Sequence, residues 1–356
     1  MYIKKSILIG SLPFNNEEEA MKISLDTLSD SLISLPDGEI GEKTEQYPMG
    51  TRAAWIMTAI DRCKLDSERW SVIKQRGSIA ESGYPADYKD VELLKPLLSP
   101  KEISNYINFG YDEYFSTSYP IFKELKEKYK NSNLKFTLGV PTGLGVTFAT
   151  MKPITSLRYA EVFNERIATE VNNSISEADE DLLVQIEIPG ELKMATMLPG
   201  FLIGLSTRGI FSLIRKLDRN VEIGLHICLG DLNNIALIKA KNLKKLVKFT
   251  NHLIKHWPSG YKLNYVHIPL AEAKKPPTTN ANFYQPLQDI KLPSGVTFIA
   301  GFAHEGNSNE DNVKIYNIIQ SLREDEVAVS HSCGLGRRNK EEAIKALETL
   351  KHIVEN

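Results

Sequence analysis

A histidine and two cysteines stand at the polar ends of two apolar runs. His226-Ile-Cys228 lies in VEIGLHICLGD (221–231), and Cys333 lies in EVAVSHSCGLGRR (326–338). Residues i and i+2 of a strand project from one face, so His226 and Cys228 reach a common ion if the first run is a strand. Two thiolates and an imidazole are a donor set that zinc prefers, and three protein ligands leave one position open for a substrate. A core histidine with two buried free thiols gives the same pattern. Against that reading, four of the seven histidines, His226, His267, His304 and His331, fall near the ends of predicted strands.

Carboxylates form a second set. LPDGEIGE (35–42) carries Asp37, Glu39 and Glu42, and QIEIPGE (185–191) carries Glu187 and Glu191. Asp37 and Glu39 share a face if the preceding strand continues, whereas Glu42 reads as a solvated loop residue. Glu187 interrupts an apolar run, so it must be paired or face a pocket. Holding a substrate ammonium, orienting a ligand histidine and binding an arginine all meet that demand. GVPTGLG (139–145) and GLGRR (334–338) offer backbone N–H groups to an anion, with Arg337 and Arg338 beside the second. Glycine after a strand is more often a plain turn. Ser11 and Arg52 are further polar candidates.

The elements that must position these groups alternate along the chain. Strand-like runs occupy 6–12, 31–36, 134–141, 181–189, 221–228, 262–270, 296–302 and 327–333. Helix-like periodicity marks 17–31, 156–175, 236–257, 312–324 and 340–356, and the apolar stretch 197–214 reads as a buried helix. Eight β runs with crossover helices predict an α/β fold, a (β/α)8 TIM barrel, whose chemistry gathers at the C-terminal ends of the strands. An open doubly wound sheet would show a glycine-rich fingerprint after its first strand, and GSLPF is not one. A long insertion, 38–133, separates the second and third runs. The expected organisation is one domain, 1–356, with that insertion covering the C-terminal face as a substrate lid or as a structural cover of the wall.

Composition excludes several classes. The chain has 356 residues, 42% hydrophobic and 25% charged, as in a globular protein with a sizeable core. A formal charge of −2 gives no electrostatic case for nucleic acid or an anionic membrane. No stretch approaches the ~18–20 apolar residues of a membrane span, and the N-terminal apolar run is too short for a secretory signal. Three cysteines make no disulfide framework, so a cytoplasmic protein with reduced thiols is expected.

Taken in order, GSLPF, PDGE, GVPTG, QIEIPGE, LHICLGD, GFAHE and SHSCGLGRR resemble the catalytic barrel of cobalamin-independent methionine synthase. They also resemble its wider superfamily, which includes uroporphyrinogen decarboxylase and zinc-dependent thiol alkyltransferases. The resemblance implies a (β/α)8 barrel with zinc at the C-terminal face, where the metal keeps a substrate thiol as thiolate beside an alkyl donor. It implies His226, Cys228 and Cys333 as zinc ligands and Ser11 and Glu39 as contacts to the substrate. It further implies Glu187 as an acid near the substrate ammonium and His304 as the acid–base histidine. Arg52 joins the substrate-binding set. There are departures: VHIPLAE has Pro269 where the family places a glutamate ligand, which leaves His267 as a replacement or a three-ligand site. QIEIP also lacks the family's second acid. The expected function is therefore transfer of a methyl or other alkyl group from a folate, corrinoid or other small donor to a small-molecule thiol. Zinc is the expected cofactor, with no nucleic-acid or membrane partner and a homodimer allowed. Two rivals are a metal-independent lyase or decarboxylase, with Arg52, Arg337 and Arg338 clamping an acidic substrate, and a non-catalytic zinc or corrinoid binding protein.

Overall fold

The computed structural model describes residues 4–178, 180–239, 241–272 and 274–356. Their strands, in chain order, are β1 (Ser34–Pro36), β2 (Trp70–Lys74), β3 (Leu93–Pro96), β4 (Lys135–Pro141), β5 (Leu182–Glu187), β6 (Glu222–His226), β7 (Lys262–Pro269), β8 (Thr297–Gly301) and β9 (Val327–Ser330). Seven of them form one curled parallel sheet in the order β1-β4-β5-β6-β7-β8-β9, and β2 and β3 make a separate antiparallel pair. Parallel neighbours require crossovers. The helices Pro153–Glu177, Ile203–Lys216, Lys244–Lys255 and Asn309–Gln320 supply four of them, and Lys340–Glu355 packs outside β9. That last helix starts where a reciprocal capping box, Asn339 with Glu342, satisfies its first free N–H groups.

Strand sequences account for the layering. In LLVQIE, Leu182, Val184 and Ile186 face the large outer core shared with the helices, while Leu183, Gln185 and Glu187 face inward. Ile7, Ile9, Leu183, Tyr265, Ile299 and Ala328 form a separate inner cluster at the floor of the curled sheet. Both faces are buried, which is why these strands read as nearly continuous apolar runs. Register then sets Glu187 of β5, His226 of β6 and His267 of β7 side by side in one row.

The run 6–12 differs from its expected full strand. Ser6 makes single parallel bridges to Leu32 and to Val329, that is, toward both edges of the sheet. Ser6 N–H donates to Ser31 C=O (2.7 Å) and Ile7 N–H to Val329 C=O (3.2 Å). Beyond Ile9 the chain leaves the ladder at Gly10 (φ +52°), and Ser11 C=O accepts instead from Leu335 N–H (2.7 Å). The second half of the run thus builds the site and not the sheet.

Three other expectations are corrected. The insertion is shorter than 38–133, because Tyr111–Lys128 is itself the helix linking β1 to β4. The helix expected from 236 begins at Lys244, and the preceding residues form a loop against the insertion: Tyr88 Oη donates to Ile235 C=O and accepts from Leu232 N–H, both at 3.0 Å. The stretch 197–214 is not one buried helix, since Met197 and Phe201 are exposed and the α-helix starts at Ile203. No helix among the described residues is long and apolar enough to cross a membrane.

Candidate metal centre and substrate cavity

His226, at the end of β6, and Cys228, two residues on, meet Cys333, which lies just past β9. One donor atom from each falls within 4.8 Å of the others. The two sulfurs are 3.6 Å apart and Cys333 Sγ is 3.7 Å from His226 Nε2. Around a tetrahedral zinc, with metal–sulfur and metal–nitrogen bonds of about 2.3 and 2.0–2.1 Å, these edges would be about 3.8 and about 3.6 Å. The donors therefore fit such an ion, whereas a disulfide would need sulfurs about 2.0 Å apart. Gly230 N–H donates to Cys228 Sγ (3.3 Å), which helps fix the position of that sulfur. The neighbouring Cys228 sulfur and burial push the Cys333 thiol well above its ordinary range, so without a cation Cys333 holds its proton.

His267 was a candidate ligand, and the structure places it one step behind the donors. Its Nε2 is 2.9 Å from His331 C=O, which can only accept, so Nε2 carries a proton. Burial holds His267 down to about 4, so the ring is neutral and its Nδ1 is an acceptor. Nδ1 lies 2.8 Å from His226 Nδ1, which must donate. Burial, then His267, keeps His226 neutral too. By elimination the free lone pair of His226 is on Nε2, the atom beside Cys333. Orientation of a ligand imidazole through its other nitrogen is a common device of metal sites.

Glu39 and Glu187 converge on the opposite wall. A Cβ at Gly139 would lie 2.6 Å from Glu39 Oε1 and 3.3 Å from Glu187 Oε1, so the glycine leaves the space they share. Asp37 Oδ1 accepts from Glu39 N–H (3.0 Å) and holds Glu39 in a left-handed conformation, φ +48°. A fixed hydrogen-bond chain orients Glu187: Tyr265 Oη donates to Gln185 Oε1 (2.7 Å), which directs Gln185 Nε2 onto Glu187 Oε1 (3.0 Å). Burial, and then Glu187, push the Glu39 carboxyl up to about 8. Burial raises Glu187 as well. The pair accordingly holds a proton at neutral pH. A carboxyl raised in this way contributes stability below its unfolded value, near 4.5, and loses it as pH rises through about 8. We expect metal-free wild type to lose stability relative to Glu39→Gln over that range, by at most about 1.4 kcal/mol per pH unit for one proton. Urea unfolding of both proteins from pH 5 to 8 measures it. Parallel curves would show that Glu39 adds no proton of its own to the folded chain.

The two cysteines of the donor set and the carboxylates open onto one cavity of about 370 Å³, whose lining includes Ser11, Glu39, Glu187, Cys228, Cys333 and Arg337. Insertion residues Tyr84, Tyr88, Val91 and Leu93 line it as well, and Ile56, Met57 and Phe148 make part of it apolar. A smaller space of about 50 Å³ lies on the other side of the acidic pair, among Arg52, Tyr111 and Tyr114. Arg337 donates to Ser11 Oγ and to Ala53 C=O, both at 3.2 Å, and its Nε has no partner among the described residues.

The other residues singled out from sequence take different places. Arg52 forms an ion pair with Asp37 and stacks 4.6 Å from the Tyr114 ring centre, so its charge is already neutralised. Arg338 is paired with Glu305. His304 is buried, accepts at Nδ1 from Gly306 N–H (2.9 Å), and is not among the residues lining either space. His331 turns away, its Nε2 on Ala346 C=O (3.0 Å). The glycine-rich turns have local structural uses. Gly334 and Gly336 are small because a Cβ on either would lie 2.7 Å from Ser11 Oγ. The N–H groups of Gly143 and Gly145 are used by Asn164 and Thr142. Sequence reading passed over Gln185, Tyr265 and Asp231. The signal available was polarity inside apolar runs for the first two and the Cys-Leu-Gly-Asp turn for the third.

No protein-family model matches the chain. No curated protein matches it either. Among solved structures, a B12-independent methionine synthase from Shewanella sp. W3-18-1, in complex with selenomethionine, is similar with a TM-score of 0.57. The match covers 99% of this chain and 98% of that one at 12% sequence identity. At that identity the likeness is one of fold.

Proposed function

We propose that the chain is a zinc-dependent alkyltransferase that moves a methyl or similar group from a small donor onto a thiol. The observation that carries this reading is the spacing of His226 Nε2, Cys228 Sγ and Cys333 Sγ, which suits three corners of a tetrahedron beside the cavity. In the same reading the sheet is a (β/α)8 barrel closed by the Ser6 segment, supported by its bridges to Leu32 and Val329.

Bound to these three residues, zinc would keep a substrate thiol as thiolate at neutral pH. The chain's own groups do the rest. Glu39 and Glu187 receive a cationic end of the substrate, and its arrival releases the proton they share. Arg337, with an unpartnered Nε in the same cavity, receives an anionic end. Apolar residues from the insertion exclude water from the reacting sulfur. In the transfer the thiolate, its proton already released to solvent, forms a sulfur–carbon bond, while the donor's carbon-to-leaving-atom bond breaks, the leaving atom departing with the bonding pair and taking a proton from solvent. His304 is not among the residues lining the cavity, and this reading gives it no role in that proton's path. The lyase rival loses two of its three arginines to ion pairs with Asp37 and Glu305.

The test incubates zinc-loaded protein with small thiols and methyl donors, and follows loss of free thiol and the mass of the product. Methylated thiol from wild type and none from Cys333→Ser is the expected result. Bound zinc with no thiol consumed by any donor would favour the binding-protein rival.

A further inference from the structure

The three donors leave one tetrahedral corner, and a buried carboxylate is waiting near it. Asp231 follows Cys228 in the turn Cys-Leu-Gly-Asp. Gly230, at φ +81°, reverses the chain there, and a Cβ on it would lie 2.6 Å from Leu237 Cβ and 2.9 Å from Tyr88 Oη. Asp231 is 9% exposed, and among the described residues its carboxylate oxygens have no hydrogen-bond partner beyond the approach of the Cys333 thiol. It lines the same cavity as Cys228 and Cys333, and the groups bearing on it are Arg337, Arg338 and the Cys333 thiol. A buried carboxylate with so few hydrogen bonds is costly, and a cation bound in the cavity would offset that cost.

We propose that Asp231 is a fourth, displaceable ligand of the His226–Cys228–Cys333 centre. The proposal rests on the reading that these three residues hold a metal. Asp231 stands on a loop, not a strand, and it lies outside the group whose donors fall within 4.8 Å of one another. It therefore reaches the metal by rotation of its short side chain and leaves the same way. Exchange with substrate breaks one metal–oxygen bond and makes one metal–sulfur bond, the thiol's proton passing to solvent. An anionic carboxylate gives way to an anionic thiolate, so the charge of the centre does not change. The charges of Arg337 and Arg338 already act on this carboxylate and would favour its anionic form once displaced.

The experiment uses the full chain with cobalt(II) as a coloured substitute for zinc, in wild type, Asp231→Asn and Asp231→Glu. Zinc affinity is measured by chelator competition, the ligand field by visible absorption, and thiol entry by titration with 2-mercaptoethanol. Expected for Asp231→Asn are one metal per chain, a tenfold or greater loss of zinc affinity, shifted cobalt d–d bands and tighter 2-mercaptoethanol binding. Asp231→Glu should restore the bands toward wild type. An Asn variant matching wild type in affinity, spectrum and thiol binding would overturn the assignment of Asp231 while leaving the three-donor centre intact. Wild type that takes up no cobalt, with no thiolate charge-transfer band, would overturn both.

Discussion

Purified without chelator, the protein is expected to carry about one zinc per chain, and Cys228→Ser or Cys333→Ser to lose nearly all of it. Each serine takes away one of only two thiolates, the strongest donors in the group, and a hydroxyl is not deprotonated at neutral pH to replace it. The same substitutions separate a metal centre from a pair of inert buried thiols. Serine nearly matches cysteine in shape, and in a metal-free pocket it would cost little. In a metal site it also removes the stabilisation that bound metal lends the fold. A chelator should therefore lower the melting temperature of wild type and leave the serine variants unmoved. Elemental analysis beside the two melts decides the matter. Metal-free wild type, or serine variants that keep their metal, would refute the centre.

His267→Ala is expected to reduce zinc affinity by about 10- to 100-fold, the usual range for a residue that orients a ligand without binding the ion. It should leave one metal per chain at saturating zinc. The reason is the relay from His331 C=O through His267 to His226, which fixes the tautomer that offers Nε2 to the cysteines. Without His267 the His226 ring can rotate and can hold its proton on either nitrogen. The cobalt protein should keep the thiolate charge-transfer bands of both cysteines, because neither is touched. Loss of metal as complete as in the cysteine variants would make His267 a ligand after all.

The parts of this arrangement legible in the sequence are those governed by local periodicity. The spacing of His226 and Cys228 places both on one face, since a strand repeats every two residues. Glu187 advertised its inward position by interrupting an apolar run. Alternation of strand-like and helix-like segments was enough for a parallel α/β sheet, and seven of the eight runs lie in it. Contacts between segments carry no such period. The opposite fates of the adjacent Arg337 and Arg338, one lining the cavity and one paired with Glu305, depend on a loop with no repeating geometry. His267 and His304 each fall near a strand end, yet the first meets His226 and the second is tied to its own turn. Asp231 is buried against the cavity by a loop that Tyr88 of the insertion holds in place, from a distant part of the chain. By itself the sequence determined which residues share a strand face and which runs can pair in parallel, because both follow from backbone repeats. Only the tertiary structure decided which polar groups meet, because that depends on side-chain rotation and on burial by segments far apart along the chain.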